Sequence, residues 1–172
     1  YTASVFSSAP TAPRFHSKRA FKQVGGFPVG VRLYEDLHLW TRIALQCSIA
    51  FIDQPLATYC RDAENRACNS IVPTTADMAF AELVEQACAA NRLSDADAGF
   101  ARRVVAHYAL MNAFKTAVAG HGREARLIAS GAPRAGVDHQ LRRWFVYLMS
   151  GLPAVVVQTV WRAGRWFKQR TN

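Results

Sequence analysis

The sequence predicts an α/β region over residues 1–72, followed by an all-α extension over residues 73–172. Three observations predict it. Short apolar runs rich in β-branched and aromatic residues sit among turn formers in the first part: Thr2-Ala3-Ser4-Val5-Phe6, Ile49-Ala50-Phe51-Ile52 and Leu56-Ala57-Thr58-Tyr59. One amphipathic helix, from Glu35 to about Gln46, stands among them. From Pro73 onwards the pattern is helical only.

The elements follow in order. The run at 2–6 reads as a strand, and Pro10 and Pro13 keep the next stretch irregular. Arg14-Phe15-His16 fits a short strand. Ser17 suits the cap of a brief helix through Phe21 and Lys22, and Gly25-Gly26 breaks it. Phe27-Pro28-Val29-Gly30 is a loop. In the helix from Glu35, residues Leu37, Trp40, Ala44 and Leu45 fall on one face, with His38 and Arg42 opposite. Residues 75–90 are helical, with Met78, Ala81, Leu83, Val84 and Ala87 expected in the core. Ser94-x-x-Asp97 resembles a capping box with the shorter acid, opening a helix through Ala119. Gly120-His121-Gly122 stops it. Arg123–Ser130, Leu141–Met149 and Ala154–Phe167 are the remaining expected helices, the last two separated by Gly151-Leu152-Pro153.

Composition narrows the class. Hydrophobic residues make up 51% of the 172 positions and charged ones 19%, which is globular rather than disordered. The chain starts at Tyr1 with a strand-like run, so it is expected to be a piece of a longer protein. No apolar run reaches the ~18 residues that a transmembrane helix requires. Cys47, Cys60, Cys68 and Cys88 form no Cys-x-x-Cys pair, which argues against zinc and for reduced thiols in the cytosol. The net charge of +9 is concentrated at one end: residues 101–172 hold twelve basic and two acidic side chains. Such asymmetry points to an anionic surface, either lipid or nucleic acid.

The chemistry-bearing stretch is residues 18–65. Gly25-Gly26-Phe27 is a glycine turn that lets backbone approach a ligand. Glu35-Asp36 places two carboxylates at a helix start, where negative charge suits the helix dipole. Pro55-Leu56-Ala57-Thr58-Tyr59-Cys60-Arg61 follows, with Asn65 beyond it. Taken alone, Glu35-Asp36 fits a plain helix cap, Gly25-Gly26 a helix stop, and Trp40 either a core residue or a platform for a sugar ring. The five histidines show no metal spacing, and no serine has a His-Asp partner in view.

The ordered set Val24-Gly25-Gly26-Phe27, Glu35-Asp36-Leu37-His38-Leu39-Trp40 and Pro55-Leu56-Ala57-Thr58-Tyr59 resembles the C-terminal half of the catalytic domain of family 2 glycosyltransferases, of the nucleotide-sugar-dependent GT-A class. The resemblance covers roughly residues 1–70. It implies a partial GT-A fold in residues 1–72, the acceptor-side half of the domain, with residues 73–172 as a helical extension. It implies Asp36 as catalytic base, taking the proton of an acceptor hydroxyl as that hydroxyl attacks the anomeric carbon with inversion. Glu35 would support it, and Gly25, Gly26, Phe27, Trp40 and Arg61 would line the substrate side. It implies a divalent metal, Mg or Mn, whose ligands lie mostly outside this chain, because the family's Asp-x-Asp motif normally precedes this segment. Asp62 stands where many relatives carry His, and Cys60 where they carry Arg; Asp62 is the residue here that could still hold a metal. With the donor half absent, the isolated chain is expected to be inactive.

The partners implied are a nucleotide-sugar donor and a saccharide or lipid-linked acceptor, as in polysaccharide biosynthesis. In residues 154–170, Gln158, Arg162, Arg165 and Gln169 share one face and Val156, Val160, Ala163 and Phe167 the other. That pattern fits peripheral contact with the inner face of the membrane of a cytoplasmic protein, or packing on the domain. The alternative to an enzyme is a basic helical module that binds a membrane surface, nucleic acid or a partner protein. Against nucleic acid, the aromatics are not interleaved with the basic residues and no groove-reading motif occurs.

Overall fold

The structure is a computed structural model that describes residues 18–49, 71–159 and Trp161. Its regular elements are α1 (Lys18–Gln23), α2 (Glu35–Gln46), a 3-10 turn (Thr75–Met78), α3 (Ala79–Ala89), α4 (Asp95–Val118), α5 (Gly122–Gly131) and α6 (Val137–Ser150). Residues 154–159 are again helical.

Among the described residues there is no strand, so the architecture is all-α, and the α/β expectation is corrected. The runs expected as strands at 2–6, 14–16 and 56–59 lie outside the described residues. Of the run 49–52 only Ile49 is described. It lies in coil and packs against the cluster of Val24, Leu39 and Ile43. A short apolar run satisfies its hydrophobicity equally well by covering a helical core, and periodicity does not separate the two outcomes.

The chain folds as two compact units. Of the described residues, the first holds 18–49, 71 and 76–104, and the second holds 72–75, 105–159 and Trp161. In the first unit, α2 packs against α1 and α3. Its core includes Val24, Leu39, Ile43, Phe80, Val84 and Ala87. The innermost residues of α2 are Leu39, Thr41 and Ile43, rather than the expected face of Leu37, Trp40, Ala44 and Leu45. With neighbours on two sides, the helix buries the line between its covered flanks, and Leu37 and Trp40 fall at the margins. Arg102 clasps Glu85 at 3.1 Å on the surface of this unit, and the nearby Glu85 carboxylate raises the Arg102 pKa.

In the second unit, α5 packs along α6. Alanine dominates the buried side of α4, with Ala106, Ala109, Ala113 and Ala117 all inside. Small side chains at that spacing let other backbone come close. One instance is the buried hydroxyl of Thr116, which donates to the Pro73 carbonyl at 3.0 Å. Phe114 meets both Phe145 and Trp161, with ring centroids 5.8 and 5.2 Å apart.

Helix ends follow local chemistry. Ser94 Oγ accepts the Asp97 N–H at 3.2 Å, which is the serine half of the expected capping box of α4, and its hydroxyl donates to Asp97 Oδ2 at 2.8 Å. At the other end of α4, the His121 N–H reaches the Thr116 carbonyl and the Gly120 N–H the Ala117 carbonyl, both at 3.0 Å. That pair of bonds is a Schellman stop.

Candidate functional site

The segment that holds Gly25-Gly26-Phe27 and Glu35-Asp36 is a helix, a glycine stop, a loop and a second helix. α1 ends in a Schellman motif: the Gly26 N–H reaches the Phe21 carbonyl at 3.0 Å and the Gly25 N–H the Lys22 carbonyl at 3.1 Å. Gly25 sits at φ +79° and Gly26 at φ +71°, where an L side chain is strained. An added Cβ on Gly26 would lie 3.1 Å from Phe21 Cζ. The glycines therefore do stop a helix, and in doing so they turn the chain into the loop 27–34.

That loop is pinned at both ends. At its start the Arg42 guanidinium, through Nη2, donates to the Gly26 carbonyl. The Phe27 ring meets Phe21 edge-on at 5.7 Å while half of it stays exposed. Towards its end Arg32 pairs with Asp77 at 3.3 Å, Leu33 is buried, and Tyr34 meets Phe80 edge-on at 6.3 Å. Between the pins Val29 is fully exposed. Tyr34, at the N-cap of α2, has left-handed backbone with φ 64°. A bulky residue rarely adopts that conformation, and its cost of order 1–3 kcal/mol persists only where surroundings over-determine it. The contact with fully buried Phe80 is one such determinant.

Glu35 and Asp36 form the first turn of α2. Asp36 Oδ1 accepts the Leu37 N–H at 2.7 Å. The carboxylate thus satisfies one of the amides that a helix start leaves without an intrahelical partner. Glu35 is exposed. Trp40 is partly buried and packs against Val24, Leu39 and Ile43 together with Phe21. Arg61 and Asp62 lie outside the described residues. Among the described residues no group of three or more His, Cys, Asp or Glu is placed to hold a metal ion.

His38 and Arg42 share one face of α2 as expected, and both are partly buried there. His38 Nδ1 is buried without a hydrogen-bond partner. Burial, then the adjacent Arg42 charge, lowers its pKa from the ordinary 6.5, with Glu82 opposing. The imidazole is accordingly neutral near pH 7.

The sequence reading missed three residues that set this geometry. Periodicity puts Arg42 opposite the apolar face of α2 without showing its bond to Gly26, and no local pattern singles out Arg32 or Asp77. Asp77 is 2% exposed, and a buried carboxylate requires a partner. Its position beside the apolar run of α3 is the one signal the sequence offers.

No family model, no curated protein and no solved structure matches this chain. Among the described residues no helix is long and apolar enough to cross a membrane.

Proposed function

We propose that residues 18–49 carry the acceptor side of a family 2-like glycosyltransferase site. The observation that supports this most is the fixed placement of Glu35-Asp36. The pair opens α2 directly behind a loop held by Arg42 at Gly26 and by Asp77 at Arg32. A general base acts only from a defined position, and rigid support of this kind supplies one. The proposal rests on this local arrangement and on the ordered motifs, and it requires no sheet among the described residues.

In the reaction, an acceptor hydroxyl gives its proton to the Asp36 carboxylate as its oxygen attacks the anomeric carbon of a nucleoside-diphosphate sugar. The new C–O bond forms as the bond from that carbon to the diphosphate oxygen breaks. The diphosphate leaves with the electron pair, and configuration inverts. Bonding of Asp36 Oδ1 to the Leu37 N–H fixes the carboxylate plane. Glu35, more exposed, contacts or orients the acceptor. Phe27, with its half-exposed ring, offers an apolar edge at the same loop. The divalent metal that the resemblance implies has no donor set among the described residues, and no step here passes through it.

The acceptor is a saccharide or a lipid-linked sugar, handled at the cytoplasmic face of a membrane. The basic balance of residues 101–172 supports that placement. Transfer from a panel of labelled nucleoside-diphosphate sugars to lipid-linked and soluble saccharides by the full-length protein tests the proposal. Turnover that Asp36→Asn removes is the expected result. No transfer from any donor, or full transfer by the variant, would overturn it.

A further inference from the structure

Helix α6 is turned so that its more apolar side faces water. Val137, Leu141, Trp144 and Leu148, at spacings of i, i+4, i+7 and i+11, form one line and are each between 65% and 77% exposed. The opposite side buries His139, Val146 and Met149. On that inward flank the Arg143 guanidinium donates to the carbonyls of Ala132 and Pro133. A surface helix ordinarily faces its apolar stripe to the core. Here the core has taken the other face, and among the described residues nothing covers the stripe. The chain beyond it repeats the pattern, with Leu152, Val155 and Val156 exposed and Val157 buried.

We infer that this face of α6 is a docking surface for an anionic lipid bilayer. Charge selects the occupant. The described residues of the second unit carry six basic and two acidic side chains. Of these, Arg123, Arg126, Arg134 and Arg142 are exposed. An excess of this sign attracts an anionic surface and opposes a second copy of the same chain. The stripe itself is aliphatic with one tryptophan, which gains from insertion among acyl chains and gains little from a phosphate backbone. Trp144 meets Tyr147 edge-on at 6.3 Å, an aromatic pair suited to the headgroup level. Apolar insertion and basic attraction are two weak signals that anchor a protein when combined.

The membrane contact on α6 comes in addition to the one expected of the segment 154–170, of which residues 154–159 and Trp161 are described. In that segment the described part turns Val157 inward, and Gln158 donates to the Val118 carbonyl at 3.3 Å. The inference does not depend on sugar transfer, because its readout is binding alone.

Co-sedimentation of the full chain with vesicles of phosphatidylcholine, with and without phosphatidylglycerol, is the test. The expected result is binding to the anionic vesicles only, weakened roughly tenfold or more by Leu141→Ser with Leu148→Ser. Trp144→Ala, at a single exposed position, should weaken it as well, and unchanged circular dichroism shows that either variant is folded. Charge reversal by Arg123→Glu with Arg134→Glu should weaken it through the electrostatic part. Equal binding of wild type and stripe variants would overturn the inference, as would equal binding to neutral vesicles. Absence of vesicle binding, with a dimer that the stripe variants dissolve, would overturn it in favour of a second copy.

Discussion

The Arg42 guanidinium donates to the carbonyl of Gly26, a residue sixteen positions earlier in the chain. A residue in the second half of α2 thereby holds the turn that ends α1. The loop between the helices, which leads into Glu35-Asp36, has one end fixed by this bond. The bond also brings a positive charge beside His38 and contributes to keeping it neutral.

Arg42→Ala is therefore expected to cost about 1.5–3 kcal/mol, the range for a hydrogen bond to a charged group. Urea unfolding measures it. The same variant should raise the His38 pKa, since the second cause of its lowering is gone. An NMR titration of the imidazole reads this directly. An unchanged His38 titration would show that the Arg42 side chain lies elsewhere.

The two glycines separate into unequal cases. Gly25 sits at φ +79° with an added Cβ at an ordinary 3.7 Å from Arg42 Nη1. Gly26 sits at φ +71° and adds a contact of 3.1 Å with the Phe21 ring. Alanine at either position costs roughly 1–2 kcal/mol for the left-handed backbone, and Gly26→Ala should cost more than Gly25→Ala. Gly25→Asn should be milder than Gly25→Ala, because asparagine tolerates this region. The protein already uses that tolerance at Asn91, with φ 51°, where the Asn91 N–H meets the Cys88 carbonyl and the Arg92 N–H the Ala87 carbonyl to end α3. Denaturant midpoints of the three variants order them.

These helix ends were legible in the sequence because their causes are local. The Ser94 cap and the glycine stops at Gly25 and Gly120 depend on a few neighbouring residues. Facing directions were less legible. Periodicity shows that α2 has an apolar line but not what lies on either side of it. Leu39 and Ile43 are innermost because α1 and α3 flank α2. The line of Leu141, Trp144 and Leu148 faces out because His139, Val146 and Met149 were recruited to the core. Ile49 read as the start of a strand because a short apolar run carries no period long enough to decide. The pairing of Arg32 with Asp77 spans 45 positions and is invisible to any local pattern.

Two histidines are expected to make stability fall in mild acid. His38 is lowered by burial and then by Arg42, with Glu82 opposing; His107 is lowered by burial and then by Arg142 and His139. Arg142 Nη1 lies 3.3 Å from His107 Nδ1, a contact that a neutral ring accepts. A lowered folded pKa means that the unfolded chain binds more protons over the interval below 6.5. The stability these rings contribute is thus complete above pH 6.5 and is lost as pH falls from there through their folded values. Urea unfolding between pH 7.5 and 5.5 should show the decline. His38→Gln and His107→Gln should each flatten it, and a decline unaltered in both variants would assign it to other groups.

Asp36 separates structural support from chemistry most cleanly. Its Oδ1 accepts the Leu37 N–H at 2.7 Å, a bond that an asparagine carbonyl can also make. Asp36→Asn should therefore leave the urea midpoint of α2 and its neighbours nearly unchanged, whereas Asp36→Ala loses the bond and should cost about 1 kcal/mol. Asparagine cannot take a proton at neutral pH. In the full-length protein the same Asp36→Asn substitution should lower kcat for sugar transfer by roughly 10²–10⁴-fold, the usual contribution of a positioned base, with KM for the donor little changed. Glu35→Gln, removing a neighbour rather than the base, should act mainly on KM for the acceptor. If Asp36→Asn and Asp36→Ala are equally destabilised and transfer falls only in proportion to folded protein, Asp36 is a helix cap and the base lies elsewhere.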